Sequence, residues 1–554
     1  MKRPGLMLLV LLGATAFAFS PGLRNGFVSW DDPQFITGNT DIRALTPATI
    51  GRMFSSAYDG NYIPLTILSF ALNHAAGGLD PLGYHAANLA LHLANVALAF
   101  LLFRRLGAPA AAAWLAAAFF ALHPLRVESV SWATERKDVL FAFFYLLALV
   151  AHARPRSETG TASATVLGLY VAALLAKPMA VTLPFALALI DHWRGERNAR
   201  AMIRGALPFV AIALIFSLVT VFAQSGADAI RRDAITALAN RPLLAANSLL
   251  FYLRVTVWPR GLTALHPYPE SITPDLYYAP IVLVALGVAW APLARRWPVV
   301  GYAMIFFVAT LLPVLNVLPA GGQMMADRFT YIPALGPALL AGLGIHRMGS
   351  LARPALRWPL IGATAALLLM LAQQSHVRTR VWRNDETLWR DCLRTNPHAY
   401  IAWVNLGNFH LAEQRAEDAL ASFTRAIELW PNVGDAYYNR ALALRALDRT
   451  DEAILDLDRA AERDPDNANV FLTRAELRAR TGLPGPALAD YTRALRLQPR
   501  WAVLYARRGG LLLELDRVEE SLADLETAVR LAPDDGSYQA LMERARARRA
   551  IQDL

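Results

Sequence analysis

YIAWVNLGNFHLAEQRAEDALASFTRAIELWP, residues 400–431, is one unit of a repeat. Pro397, Pro431, Pro465, Pro499 and Pro533 follow one another at 34-residue intervals, a regularity that chance does not supply five times over. Within the quoted unit Trp403, Leu406 and Gly407 stand in the first half and Ala419, Phe423, Ala426 and Pro431 in the second. Small residues recur at Gly407, Ala441, Ala475 and Gly509, and bulky ones at Phe423, Leu457, Tyr491 and Leu525. A small residue lets two helix backbones approach, and the bulky one facing it fills the space. Four such helix pairs over residues 400–533 stack into a curved solenoid, and the charged stretch 534–554 reads as a capping helix.

Thirty-four residues is the period of tetratricopeptide helix pairs. A solenoid of this kind offers a binding surface and carries no chemistry of its own; its concave groove takes an extended peptide or a partner protein. Asn405, Asn408, Tyr438, Asn439, Arg474 and Arg508 lie on first-helix positions that can face the groove as acceptor-binding residues, and can equally be ordinary solvated helix face.

Upstream the composition changes. The 554 residues are 55% hydrophobic, and the apolar runs long enough to cross a bilayer lie before Gln373, among them 86–103, 139–151, 207–222 and 358–372. The expected fold is therefore all-α: a polytopic membrane domain over 1–375, a linker or first-helix region over 376–399, the four repeats, and the cap. Lys2 with Arg3, Arg104 with Arg105, Arg154 with Arg156, Arg194 with Arg197 and Arg200, Arg295 with Arg296, and Arg347 with Arg353 fall at every second loop, which marks those loops as cytoplasmic. Arg231, Arg232 and Arg241 break the pattern unless the run 243–257 lies along the outer surface. That arrangement gives about eleven crossings, a cytoplasmic N-terminus and repeats on the opposite side. The apolar segment 6–19 lacks a convincing cleavage site and reads as the first crossing.

Cys392 is the only cysteine, so an intrachain disulfide and a Cys/His metal cluster are both excluded. The net charge of +10 follows largely from the basic loops and gives no reason to expect nucleic-acid binding.

Three loops on the non-cytoplasmic side hold the chemistry. Asp31 and Asp32 stand in FVSWDDPQFITGN, just beyond the first apolar segment, where a membrane enzyme needs a base; a solvated Asp-Pro turn is the plainer reading. His85, Asn88, His92 and Asn95 share one helix face. His92 and Asn95 suit interhelical hydrogen bonds, while His85 and Asn88 lie near the outer boundary and suit a site wall. HPLRVESVSWATERKD, residues 123–138, packs His123, Arg126, Glu128, Glu135, Arg136, Lys137 and Asp138 between two crossings. Lys2, Lys137 and Lys177 are the only lysines, so Lys137 and Lys177 stand out in a chain that otherwise uses arginine. Lys177 sits in a very short turn at the membrane edge, suited to a phosphate or to snorkelling toward headgroups. MMADRFTYIPALG, residues 324–336, adds Asp327, Arg328 and Tyr331; Arg328 suits an anion or a pair with Asp327.

WDDPQFITGN, NYIPLTILSFALNH, GLDPLGYHAANLALHLAN, HPLRVESVSWATERKD, ADRFTYIPALG and RTRVWRNDETLWRDCLRTNPHAYIAWVNLGN together resemble the transmembrane and tetratricopeptide-repeat proteins, GT-C glycosyltransferases similar to protein O-mannosyltransferases. The likeness spans nearly the whole chain. It implies an inverting enzyme that takes a sugar, mannose or another, from a polyprenyl-phosphate carrier to a Ser or Thr hydroxyl of a protein on the non-cytoplasmic side. By the same resemblance Asp31 is the base and Asp32 its partner; Asp32 stands where the closest O-mannosyltransferases carry Glu. Lys177, Arg328 and Lys137 are the candidates for the donor phosphate, and His85, Asn88, His123 and Glu128 for the site wall. No cofactor is required by these motifs, although the aspartate pair leaves a divalent metal open. The Arg- and Ala-rich composition points to a bacterial inner-membrane member with a periplasmic repeat domain. Two alternatives remain: a membrane-anchored repeat scaffold for envelope assembly, and a GT-C enzyme acting on lipid or polysaccharide.

Overall fold

A computed structural model describes residues 4–154, 164–195, 198–226, 234–269, 271–316, 319 and 321–553. Lys2, Arg3, Arg156, Arg197, Arg231 and Arg232, used above for orientation, lie outside the described residues. The chain divides into two units, Met1–Thr395 and Asn396–Leu554.

The first unit is helical apart from a two-stranded antiparallel pair, His266–Pro267 against Gln323–Met325, among the described residues. Among the described residues five helices are long and apolar enough to cross a membrane: Gly5–Arg24, Pro81–Arg105, Met202–Gly226, Pro274–Arg296 and Pro354–Arg383. The pair Ala110–Leu122 and Pro124–Ser131, bent by 57° at the break, passes the same length and composition test only when the two helices are taken together. Several of these helices expose large apolar side chains, such as Phe222, Ile281 and Leu369, an arrangement that only a lipid surround makes cheap. Between the helices, small residues set the approach. Leu335–Leu351 lies so close to Ala110–Leu122 that a Cβ on Gly342 would sit 2.6 Å from the Ala116 nitrogen, which only glycine avoids.

The polar stripe of Pro81–Arg105 faces protein. The His92 Nδ1 lies 2.6 Å from the Tyr331 hydroxyl and its Nε2 lies 3.2 Å from the Ala121 carbonyl, while Asn95 donates to the Val139 carbonyl at 2.9 Å. Each of these polar atoms would be costly in lipid, and each pins a neighbouring segment instead.

In the second unit eight helices from Tyr400–Ala412 to Val518–Leu531 form four antiparallel pairs, followed by Gly536–Gln552. The small-and-bulky pattern does what its spacing requires: a Cβ on Gly407 would come within 2.5 Å of the Phe423 ring. A second periodic device runs alongside it. Arg440, Arg474 and Arg508 each grip, with two hydrogen bonds, the aspartate 16 residues onward: Asp456 at 2.7 and 2.9 Å, Asp490 at 3.0 and 2.6 Å, Asp524 at 2.7 and 2.8 Å. The third guanidinium donor reaches back to the preceding pair, to Thr424, Asp458 and Thr492. Arg474 and Arg508, expected in the groove, spend these donors on the second helices of two successive repeats. Asn408 is exposed and Asn405, Tyr438 and Asn439 are half-buried, so these four keep the groove assignment as an expectation. Arg474→Ala leaves the Asp490 carboxylate buried without its forked partner. It is expected to destabilise the repeats by about 1.5–3 kcal/mol, read as a lower thermal midpoint of the unfolding transition.

Candidate active site

The loop after the first helix is held in place by Asp32. This side chain is buried, and both carboxylate oxygens accept hydrogen bonds: Oδ2 from the Val28 amide at 2.8 Å, Oδ1 from the Trp132 indole at 3.0 Å, the Thr134 amide at 3.1 Å and the Thr134 hydroxyl. Burial pushes Asp32 up to about 7, against the hydrogen bonds from Thr134 and Val28. Asp32 thus ties the first loop to the second. Asp32→Ala would orphan several buried donors, at about 1–3 kcal/mol each, and is expected to lower the melting temperature of the detergent-solubilised protein well before any question of chemistry arises.

Asp31 is turned the other way. Its Oδ2 accepts from the Lys137 ammonium at 3.3 Å, and its side chain is 21% exposed against 9% for that lysine. Lys137 is also 3.1 Å from Glu135 Oε1. The Nε of Arg328 lies 3.1 Å from the same oxygen, and Lys177 lies 3.7 Å from Oε2. Three cations from three separate segments therefore surround one buried carboxylate. Burial works to raise Glu135, but Lys137, Arg328 and Lys177 outweigh it and hold the carboxyl below the usual range. Each cation has a second carboxylate: Asp31 for Lys137, Asp138 for Lys177 and Glu128 for Arg328. Asp138 is fixed in turn by the Ser129 hydroxyl at 2.9 Å, and Glu128 by the Arg328 amide at 2.9 Å.

The lysine in the short turn at 177 faces this cluster and does not snorkel outward, because Asp138 and Glu135 supply the counter-charge. Arg328 pairs with Glu128 and Glu135, not with its neighbour Asp327. That aspartate is occupied by His266 at 3.2 Å and Arg378 at 3.7 Å. The proposed wall is also corrected in part. Asn88 is fully buried beneath the second loop, donating to the Trp132 carbonyl at 3.0 Å and accepting from Arg136 at 2.7 Å. The buried His85 has its Nε2 3.3 Å from the Gly26 carbonyl, and His123 accepts from the Leu125 amide at 3.3 Å. These three support loop backbone; of the four, only Glu128 belongs to the charged cluster.

A divalent ion shared by the aspartate pair would need free oxygens on both residues. Both Asp32 oxygens already face N–H or O–H donors and Asp31 faces an ammonium, so the pair does not fit a metal. Among the described residues no group of three His, Cys, Asp or Glu side chains gathers elsewhere in a metal-binding arrangement.

Glu135 and Asp138 were visible in the sequence only as members of a charged loop, with no signal that one of them is the hub. Apart from Lys137, two residues from Glu135, the cations that meet them are Lys177 and Arg328, in distant segments beyond the reach of any local pattern.

The fold and this centre together define a polytopic helical membrane protein with a loop-borne acid–cation cluster and a tetratricopeptide domain. Tetratricopeptide-repeat profiles match residues 386–433, 410–468 and 502–535. The chain is 26% identical to protein O-mannosyl-transferase Tmtc1 of Drosophila melanogaster, over 77% of this chain and 62% of that protein. It is 24% identical to protein O-mannosyl-transferase TMTC1 of Homo sapiens, over 78% of this chain and 56% of the relative. It thus spans less than two thirds of the length of either. A solved structure, "Crystal structure of YrrB: a TPR protein with an unusual peptide-binding site", aligns with 33% of this chain and 89% of its own at 19% identity and a TM-score of 0.27.

Proposed function

We propose that the protein is an inverting glycosyltransferase that moves a sugar, mannose or another, from a polyprenyl-phosphate carrier to a Ser or Thr hydroxyl of a protein acceptor. The reaction takes place on the non-cytoplasmic face of a bacterial inner membrane. The observation that carries this reading is the placement of Asp31, the most exposed acid of the site, on Lys137, within a cluster that also gathers Lys177 and Arg328. Asp31 takes the proton of the acceptor hydroxyl as its oxygen bonds to the anomeric carbon. The bond from that carbon to the carrier phosphate breaks, and the phosphate leaves with the electron pair. The cations stabilise the charge developing on the leaving oxygen.

The ion pairing gives this sequence an internal logic. Both Glu135 oxygens lack a well-directed hydrogen bond among the described residues, so Glu135 holds its cations by charge, and a phosphate can compete with it and with Asp31 for Lys137. When Lys137 turns, Asp31 loses its cation and gains a neighbouring anion. That leaves the Asp31 carboxylate open to the acceptor hydroxyl at the moment a base is needed. A cavity lined by apolar side chains, including Leu149, Leu189, Phe306 and Leu339, supports a lipid-linked donor. Leu149 lies about 16 Å below Asp138 along one helix, a distance an isoprenoid tail readily spans. The repeats supply the means to hold a polypeptide acceptor, which favours protein over lipid or polysaccharide.

The test is transfer from a panel of labelled polyprenyl-phosphate sugars to an envelope extract by the purified protein. Labelled polypeptide is the expected product. Labelled lipid or polysaccharide alone overturns the acceptor assignment, and no donor consumption at all leaves the protein a repeat scaffold.

A further inference from the structure

The stretch RVWRNDETLWRDC, residues 380–392, starts in the last turn of the helix Pro354–Arg383 and ends before the first of the four repeats, and together with the turn preceding it, it contacts the first, second and third loops. The Gly26 amide donates to the Arg383 carbonyl at 2.9 Å, and Asn25 donates to the Thr379 carbonyl at 3.0 Å. Trp382 stacks on Trp132 of the second loop, with ring centroids 5.0 Å apart. Arg378, one turn earlier, bridges Asp391 at 3.3 Å and Asp327 of the third loop at 3.7 Å.

The tightest contact is made by Asp385. Its Oδ1 accepts from the amide and the hydroxyl of Ser29, both at 2.8 Å, and from the Trp389 indole at 3.3 Å. Trp389, fully buried, lies 4.9 Å from the Trp30 ring. Ser29 and Trp30 immediately precede Asp31. A helix of this length needs an N-cap, but Asp385 is not spent on that task. Asn384 caps the helix, accepting from the Thr387 amide at 3.0 Å while Thr387 accepts from the Asn384 amide at 3.3 Å. The Asp385 carboxylate is therefore available to fix the loop.

The helix Asp385–Thr395 also keeps the repeat register. Trp389 and Cys392 stand 34 residues before Phe423 and Ala426, and a tetratricopeptide profile begins its match at residue 386. A second helix of the repeat type is thus folded into the first unit, with its bulky position turned to the loop carrying Asp31.

We infer that Asp385 and Trp389 are positioning residues for Asp31: this repeat-type helix sets the conformation of Ser29 and Trp30 and so the aim of the following carboxylate. The inference rests on Asp31 acting as the base. Only acceptance at Oδ1 is required, so the charge of Asp385 is dispensable and its oxygen is not.

The experiment compares Asp385→Ala with Asp385→Asn in the full-length protein, by steady-state transfer kinetics and by amide hydrogen exchange over residues 28–32. Asp385→Ala is expected to lower kcat about 100-fold with the donor KM unchanged, and to speed exchange at Ser29. Asp385→Asn, which keeps an acceptor oxygen, is expected to restore both toward wild type. Trp389→Phe gives a milder form of the same kcat loss should Asp385→Ala fail to fold. Unchanged exchange at Ser29 in Asp385→Ala overturns the inference, as does a loss that appears in KM alone. Wild-type protein that transfers no sugar defeats the functional reading instead, and the exchange measurement still decides whether Asp385 fixes the loop.

Discussion

Asp31→Asn is expected to reduce sugar transfer by about 10²–10⁴-fold, the usual worth of a general base, while the protein stays folded and still binds the donor. Folding is spared because the Asp31 side chain is partly exposed and the Lys137 ammonium that it meets at 3.3 Å keeps Glu135 as its counter-charge at 3.1 Å. Donor binding is spared because the cations keep Glu135, Asp138 and Glu128. Chemistry is not spared, since a carboxamide cannot take the hydroxyl proton. The check is a pair of measurements on one preparation: label transferred to polypeptide, and retention of a labelled polyprenyl-phosphate sugar. Transfer at the wild-type rate would end the base assignment. Loss of donor retention together with transfer would place Asp31 in binding. Asp32→Ala should give the opposite pattern, a protein whose first defect is stability.

The second large effect is on folding. Glu135→Ala is expected to destabilise the first unit by about 3–5 kcal/mol, because it leaves Lys137, Arg328 and Lys177 crowded around a buried site without the charge they share. Glu135→Gln keeps the volume and removes the charge, and so separates the electrostatic part from cavity formation. The readout is the thermal midpoint in detergent. In the proposed reaction the donor phosphate is also an anion for these cations. Polyprenyl phosphate is therefore expected to raise the midpoint of Glu135→Gln by more than it raises that of wild type. An equal rise in both would mean that the carrier phosphate binds elsewhere.

Charge alone did not identify this centre. Lys137 and Lys177 stand out because the chain otherwise uses arginine, and Asp31 because it follows a hydrophobic segment; these are properties of position and composition. The role of Glu135 arises only where the segments at 135–138, 177 and 328 meet, and a sequence carries no record of which distant residues share a cavity. The same limit explains the two groove arginines. Periodicity put Arg474 and Arg508 on a helix face, but the face alone does not say whether the guanidinium points to solvent or back between two second helices. A local signal was present in the 16-residue offset from Arg440, Arg474 and Arg508 to Asp456, Asp490 and Asp524, repeated every 34 residues.

What the sequence by itself determined is what short-range physics repeats: the apolar runs of a membrane domain, and the small-and-bulky alternation of four helix pairs. Both follow from local hydrophobicity and from spacings shorter than one repeat. What the tertiary structure alone decided is which of two adjacent aspartates is free. Asp31 and Asp32 are chemically identical and one peptide apart, yet Trp132 and Thr134 close around the second and leave the first to Lys137. The reason is desolvation. A carboxylate sealed among donors becomes part of the scaffold, and only one left at the edge of the cluster can meet a substrate.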